Sequence, residues 1–226
     1  VTAGDVRFTL AKLQRSGLGS ATGSWQSYIN RIEQPGVGDG LVPRLQATAE
    51  RGTAGQFENL GEGAYRYRFE LSVLDQAADI VEQARIEGLD LDYDATLTHR
   101  VAMQFGGAPV AANPVYDFVP ETGTTTGIAR ALIVATDSCN NCHRGLALHG
   151  GGRVETDYCV TCHNPGTADA NSTNNLDMAE MVHKIHRGAD LPSVRNGGVY
   201  QIYGFRDSLH DYSGVHYPRS ISDCSV

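Results

Sequence analysis

Two short stretches constrain this chain more than anything else in it: Cys139-Asn140-Asn141-Cys142-His143 and Cys159-Val160-Thr161-Cys162-His163. Each places two thiols three positions apart with a histidine directly after the second. A CxxC pair alone reads as a dithiol redox or zinc motif, whereas the histidine that follows selects covalent attachment of a c-type haem. The thiols reach the two vinyl groups of one porphyrin, and the adjacent imidazole falls beneath the iron as an axial ligand. Cys139, Cys142, Cys159 and Cys162 are therefore read as attachment residues, with His143 and His163 as iron ligands on the near side.

A second axial ligand is needed for each iron, and three histidines stand nearby. His183 and His186 lie three apart in Met181-Val182-His183-Lys184-Ile185-His186. That segment reads as a helix: Asp177 is placed to cap its start, Glu180 to complete a capping box, and Gly188 to end it. Residues at i and i+3 share a helix face, so the two imidazoles project to one side about a turn apart and suit two different irons. His149, in Leu146-Ala147-Leu148-His149-Gly150-Gly151-Gly152, is the third candidate, on a turn whose glycines allow close approach to a porphyrin. Met178 and Met181 are weaker alternatives, because imidazole suits a low-potential iron better than thioether. The fifth cysteine, Cys224, stands in Asp223-Cys224-Ser225-Val226 and reads as the opening of a third motif, so the chain is expected to be a piece of a longer protein with the extra histidine serving a third haem.

All five cysteines fall after position 138, which divides the chain. Residues 1–130 are expected to form an all-β domain, a sandwich or barrel, and residues 131–226 a haem-bearing domain with a few short helices. In the first part, residues 5–10 alternate apolar and polar, as do Tyr65, Tyr67, Phe69 and Leu71, and again Leu97, His99, Val101, Met103 and Phe105, each a strand signal. His99 lies on the apolar side and is expected to be a hydrogen-bonded core residue. Residues 77–87 carry apolar positions at helical spacing. Asp90, Asp92 and Asp94 alternate like the start of a calcium loop, but Ala95 stands where glycine is required and no glutamate closes the loop, so a solvated turn is expected. In the second part aliphatic side chains are sparse, and Tyr200, Tyr203 and Phe205 are expected to pack on porphyrin. The net charge of −8 disfavours a nucleic-acid partner.

The sequence resembles the OmcA/MtrC type of outer-membrane multihaem c-type cytochromes over nearly its whole length. In the first part the likeness rests on Trp25-Gln26-Ser27-Tyr28-Ile29, on Gly61 to Tyr67, on Leu97-Thr98-His99-Arg100-Val101 and on Tyr116-Asp117-Phe118-Val119-Pro120. In the second part it rests on the two CxxCH motifs, Leu146 to Gly151, Tyr158 to Pro165, Met181 to His186 and Asp211 to Pro218. The resemblance implies a split β-barrel followed by the opening of a pentahaem domain with bis-histidine irons. It also implies export to the outer membrane or cell surface, other multihaem cytochromes or a porin complex as partners, and a flavin or ferric mineral as acceptor. Electron transfer is the expected function, because an iron clamped by two histidines exchanges electrons without an open position for substrate. The rival readings are a haem reductase with one open iron position, which requires fewer distal histidines than motifs, and a filament-forming or docking subunit.

Overall fold

The computed structural model describes residues 1–15, 23–38, 40–106 and 111–218. The central sheet is built on β1 (Val6–Gln14), which pairs antiparallel with β2 (Ser24–Ser27) on one side and β8 (His99–Phe105) on the other. β9 (Val115–Phe118) adds outside β8, and β5 (Glu50–Arg51) pairs with β1 beyond the end of β2. Two ribbons accompany it: β3 (Asn30–Glu33) with β4 (Arg44–Ala47), and β6 (Gln56–Gly61) with β7 (Ala64–Arg68). The helix over 77–87 is present as α1 (Ala78–Ile86), and it packs Ala84 against Leu45 and Leu91. Mostly β with little helix is thus the observed class of the first part.

Side chains directly opposite one another in an antiparallel pair share a face, so the register sorts the sheet into two faces. Phe8, Lys12 and His99 point to one. There Tyr67 stacks on Phe8 at 4.2 Å, and Tyr28 lies nearly parallel to His99 at 5.6 Å. The Tyr65 to Leu71 alternation ends early: β7 stops at Arg68 and is mostly solvent-exposed on both faces, with Tyr67 and Phe69 its contacts to the sheet.

His99 is the core histidine its position suggested. Its Nδ1–H donates to the Leu97 carbonyl at 3.0 Å, so its Nε2 accepts from the Tyr28 hydroxyl at 3.0 Å. Burial lowers its pKa from 6.5. The unfolded chain takes up a proton there first, so this site's contribution to stability is full above about pH 6.5 and is lost as the pH falls through the lowered value. Tyr28→Phe leaves the buried Nε2 without a donor, and an unfolding titration is expected to show a loss of about 1–3 kcal/mol.

Lys12, 1% exposed, pairs with Asp90 at 3.0 Å and donates to the Asp92 carbonyl. Asp94 accepts from the Thr96 backbone at 2.9 Å, so these carboxylates organise a turn. Among the described residues no cluster of three acidic, histidine or cysteine side chains is arranged to hold a metal ion.

The second part consists of short helices, α2 (Thr136–His143), α3 (Thr156–Cys159), α4 (Met178–Arg187) and α5 (Pro192–Arg195), and one small hairpin, β10 (Gln201–Tyr203) with β11 (Leu209–Asp211). Asp177 caps α4, accepting from the backbone of Ala179 at 3.1 Å and Glu180 at 3.2 Å. The capping box does not form. Glu180 instead accepts from Asn175 at 2.6 Å and Lys184 at 2.5 Å, and it is Asn175 Oδ1 that takes the Asp177 N–H. Tyr200 differs from expectation, being buried among the protein side chains Leu176, Leu191 and Ile202, whereas Phe205 is 82% exposed. None of the helices in the described residues is long and apolar enough to cross a membrane.

Candidate functional site

The second face of the central sheet carries Arg7, Thr9, Ala11 and Leu13 of β1, Trp25 of β2, and Arg100, Ala102 and Gln104 of β8. Its middle is made of small residues, and the second CxxCH motif sits on it. Cys159 and Val160 join Ala11, Leu13 and Trp25, with Ala131 and Met178, in one buried cluster. The Thr161 hydroxyl donates to the Tyr158 carbonyl at 2.7 Å and accepts from the Thr9 hydroxyl at 2.8 Å. Arg100 completes the seat: it forks onto Asp117 at 2.7 and 2.9 Å, donates to the carboxylate of Asp157 at 2.9 Å and lies 4.3 Å over the Trp25 ring. Side chains from both sides of residue 130 therefore share a single core. No role was read for Thr9, Arg100 or Asp117 from the sequence; Arg100 and Asp117 entered only within the stretches that carry the family likeness, and the signal for Thr9 is strand parity, which puts Arg7, Thr9, Ala11 and Leu13 on a common face.

The two motifs differ in environment. Cys159 and Cys162 are buried, at 7% and 6% exposure, while Cys142 and His143 at the end of α2 are exposed. Burial pushes the Cys159 thiol up to about 11, with the Arg153 charge opposing in part. The motifs are tied together at their starts, where the Thr136 hydroxyl meets Glu155 at 2.8 Å and Thr156 at 3.0 Å.

The imidazoles gather in pairs. His143 faces His186 of α4 with ring centres 5.8 Å apart, and His149 faces His163 at 6.0 Å. Each pair joins a motif histidine to one of the three distal candidates. His183 has no such partner among the described residues; it is exposed and lines a shallow surface pocket with Glu180, Lys184, Arg187 and Leu191. Met178 is buried in the core cluster under the second motif, and Met181 packs beside Leu176 and Tyr200. Cys224 lies outside the described residues.

Ring orientation follows from backbone hydrogen bonds. His163 Nδ1 is 2.9 Å from the Leu176 carbonyl, His186 Nδ1 is 2.8 Å from that of Val182, and His183 Nδ1 is 2.6 Å from that of Ala179. A carbonyl only accepts, so each Nδ1 carries the proton and each Nε2 lone pair is turned outward, the arrangement that metal-bound histidines adopt. His149 is presented differently. A bridge between Leu148 and Arg153 closes a tight turn, and His149 occupies its left-handed position at φ 51°, followed by Gly150 and Gly151 at φ 78° and 87°. Burial lowers the pKa of His163, and partial desolvation with the Arg153 charge lowers that of His149, which keeps a solvent-exposed surface, so both stay neutral as ligands must be.

A c-type haem fits this donor set. Two imidazole nitrogens each about 2 Å from one metal put their ring centres about 6 Å apart, which is the spacing of both pairs, and each pair has its CxxC thiols adjacent in sequence.

The chain is similar to several known multihaem cytochromes. Residues 131–226 match the family model described as outer membrane cytochrome MtrC/MtrF-like, domains II/IV. A curated relative, the multihaem cytochrome MtrC of Shewanella baltica strain OS185, is 29% identical over 151 residues, 63% of this chain and 21% of that protein. The crystal structure of the outer membrane decahaem cytochrome OmcA superposes with a TM-score of 0.83 at 30% identity, over 99% of this chain and 34% of that one. The structure of MtrC from Shewanella baltica OS185 matches with a TM-score of 0.57 at 25% identity, over 85% of this chain and 28% of that one. The chain thus spans between a fifth and about a third of the length of these relatives. In fold, motifs and sequence the chain is similar to the OmcA/MtrC type of outer-membrane multihaem cytochromes, and residues 131–226 match that family's domain II/IV model.

Proposed function

We propose that this chain is an electron-transfer unit, exported to the outer membrane or cell surface, that passes electrons between two bis-histidine c-type haems and onward to other multihaem cytochromes. The observation that carries the reading is the pairing of motif and distal imidazoles at 5.8 and 6.0 Å. Cys139 and Cys142 would hold the first haem between His143 and His186; Cys159 and Cys162 would hold the second between His163 and His149. When bound, haem supplies a one-electron iron couple whose potential is kept low by histidine on both sides. The chain's part is to fix the ligands, close the sixth position against small molecules and keep the two sites near each other.

Helix α4 does the last of these. The Met178 N–H donates to the His163 carbonyl at 3.1 Å at one end, and His186 reaches His143 from the other. Eight residues of helix separate them, a rise of about 12 Å. His183, its Nε2 turned outward like that of His186, is assigned to an iron other than these two. The domain division is read as a β scaffold over 1–130 that seats a haem-bearing unit over 131–226.

Two measurements on protein matured in a host that attaches haem test the reading. Intact mass is expected to exceed the 24.3 kDa of the polypeptide by one haem for each complete motif. Electron paramagnetic resonance of the oxidised protein is expected to give two different low-spin ferric signals. The first pair has its rings 75° apart, near the perpendicular arrangement that gives a highly anisotropic signal, and the second has them 40° apart, which gives a rhombic one. A mass equal to the bare polypeptide, or a high-spin ferric signal from either haem, refutes the ligand assignment.

A further inference from the structure

We propose that Arg153 is the residue that sets the potential of the second haem: its guanidinium, strapped to Gln104 of the central sheet, raises the reduction potential of the iron between His163 and His149 and leaves the other largely unaffected. The inference rests on the reading of these imidazoles as axial ligands.

Arg153 does two things in the structure. Its backbone closes the turn that presents His149, through the Leu148 N–H at 2.9 Å and its own N–H to the Leu148 carbonyl at 3.2 Å. Its side chain runs onto the sheet, where Nε donates to Gln104 Oε1 at 3.1 Å and the guanidinium lies 5.4 Å over the Tyr158 ring. Among the described residues no carboxylate lies within 4.0 Å of it. Gln104 is neutral. Tyr158, completely buried with its hydroxyl unpartnered, stays neutral because burial raises its pKa. The positive charge is therefore uncompensated by its contacts, and it stands at the foot of the turn that presents His149, whose ring faces His163 at 6.0 Å.

Reduction adds one electron to the iron, lowers the charge of the coordinated group by one and breaks or forms no bond. A fixed positive charge nearby favours that reduced state, and the attraction is screened less in a half-buried corner than in open water. Near the first site Lys184 is neutralised by Glu180 at 2.5 Å, and Arg144 and Arg187, the residues after His143 and His186, are solvent-exposed, so water screens their charges more than it screens Arg153. Fixing this charge by a side chain from β8 also explains in physical terms how the sheet takes part in setting the electron's resting place.

The test is a potentiometric titration of the two-haem protein, with the haems distinguished by their resonance signals. At an ambient potential equal to the wild-type midpoint of the second haem, Arg153→Gln is expected to lower its ferrous-to-ferric ratio about tenfold, a downward shift of about 59 mV for a one-electron couple. Arg153→Lys, which keeps the charge, is expected to retain most of the wild-type ratio. Gln104→Glu sets a carboxylate beside the intact guanidinium and is expected to lower the ratio in the same direction; it decides the matter if Arg153→Gln does not fold. The proposal is overturned if neither Arg153→Gln nor Gln104→Glu moves the second haem, if both haems move equally, or if Lys behaves as Gln. Loss of the two bis-histidine signals from the wild type would instead refute the ligand reading on which the proposal stands.

Discussion

His186→Ala is expected to convert a protein whose reduced haems take up no carbon monoxide into one in which about half of them do, since a haem with both axial positions filled has no place for an added ligand. The substitution removes the ring that faces His143 at 5.8 Å. His183, one turn back on α4, does not replace it: its ring is tied to the Ala179 carbonyl and opens to the solvent-facing pocket. His186 is only partly buried and sits near the end of the helix, so the fold is expected to survive. Optical titration of the dithionite-reduced variant with carbon monoxide checks this. Binding to both haems would show that the second site also has an open position, and binding to neither would remove His186 from the ligand set.

The largest stability effect is expected at Arg100. Arg100→Ala leaves the Asp117 carboxylate, 2% exposed, without the fork that neutralises it, and breaking a buried pair on one side costs about 3–5 kcal/mol. Arg130, at 3.3 Å but itself 59% exposed, offers partial compensation and places the loss toward the lower end. The same change unties Asp157 from the sheet, at the start of the helix that carries Cys159. In urea the variant is expected to show a lower midpoint with an unchanged slope. Arg100→Lys restores the charge without the planar fork, and should recover only part of the loss. An Ala variant as stable as the wild type would mean that the second motif does not depend on this seat.

How far the structure could be read in advance depended on the range of the interaction involved. The strand over β8, the helix over α4 and its Asp177 cap follow from patterns a few residues long, and all three are present. The capping box failed for a reason equally local: Asn175 and Lys184 compete successfully for Glu180. His99 was legible because an apolar strand face demands a partner for any histidine on it, although nothing in its neighbourhood named Tyr28, 71 positions away. Tyr200 was misplaced for the opposite reason. Sparse aliphatic residues suggested aromatics laid on porphyrin, whereas the short hairpin turns Tyr200 into a protein core.

What the sequence determined by itself is the chemistry: thiols and imidazole held at fixed covalent spacing, three further imidazoles nearby, and a thiol-free β segment ahead of them. Only the tertiary structure decided which rings face each other and where the second motif rests. Thr161 meets Thr9 across 152 positions, and Arg100 meets Asp157 across 57. The physical reason is that covalent spacing is carried along the chain and survives in any conformation. Ring pairing and burial are through-space quantities, set by a strand register in which every second residue faces the haem-bearing part and a shift of one would turn that face away.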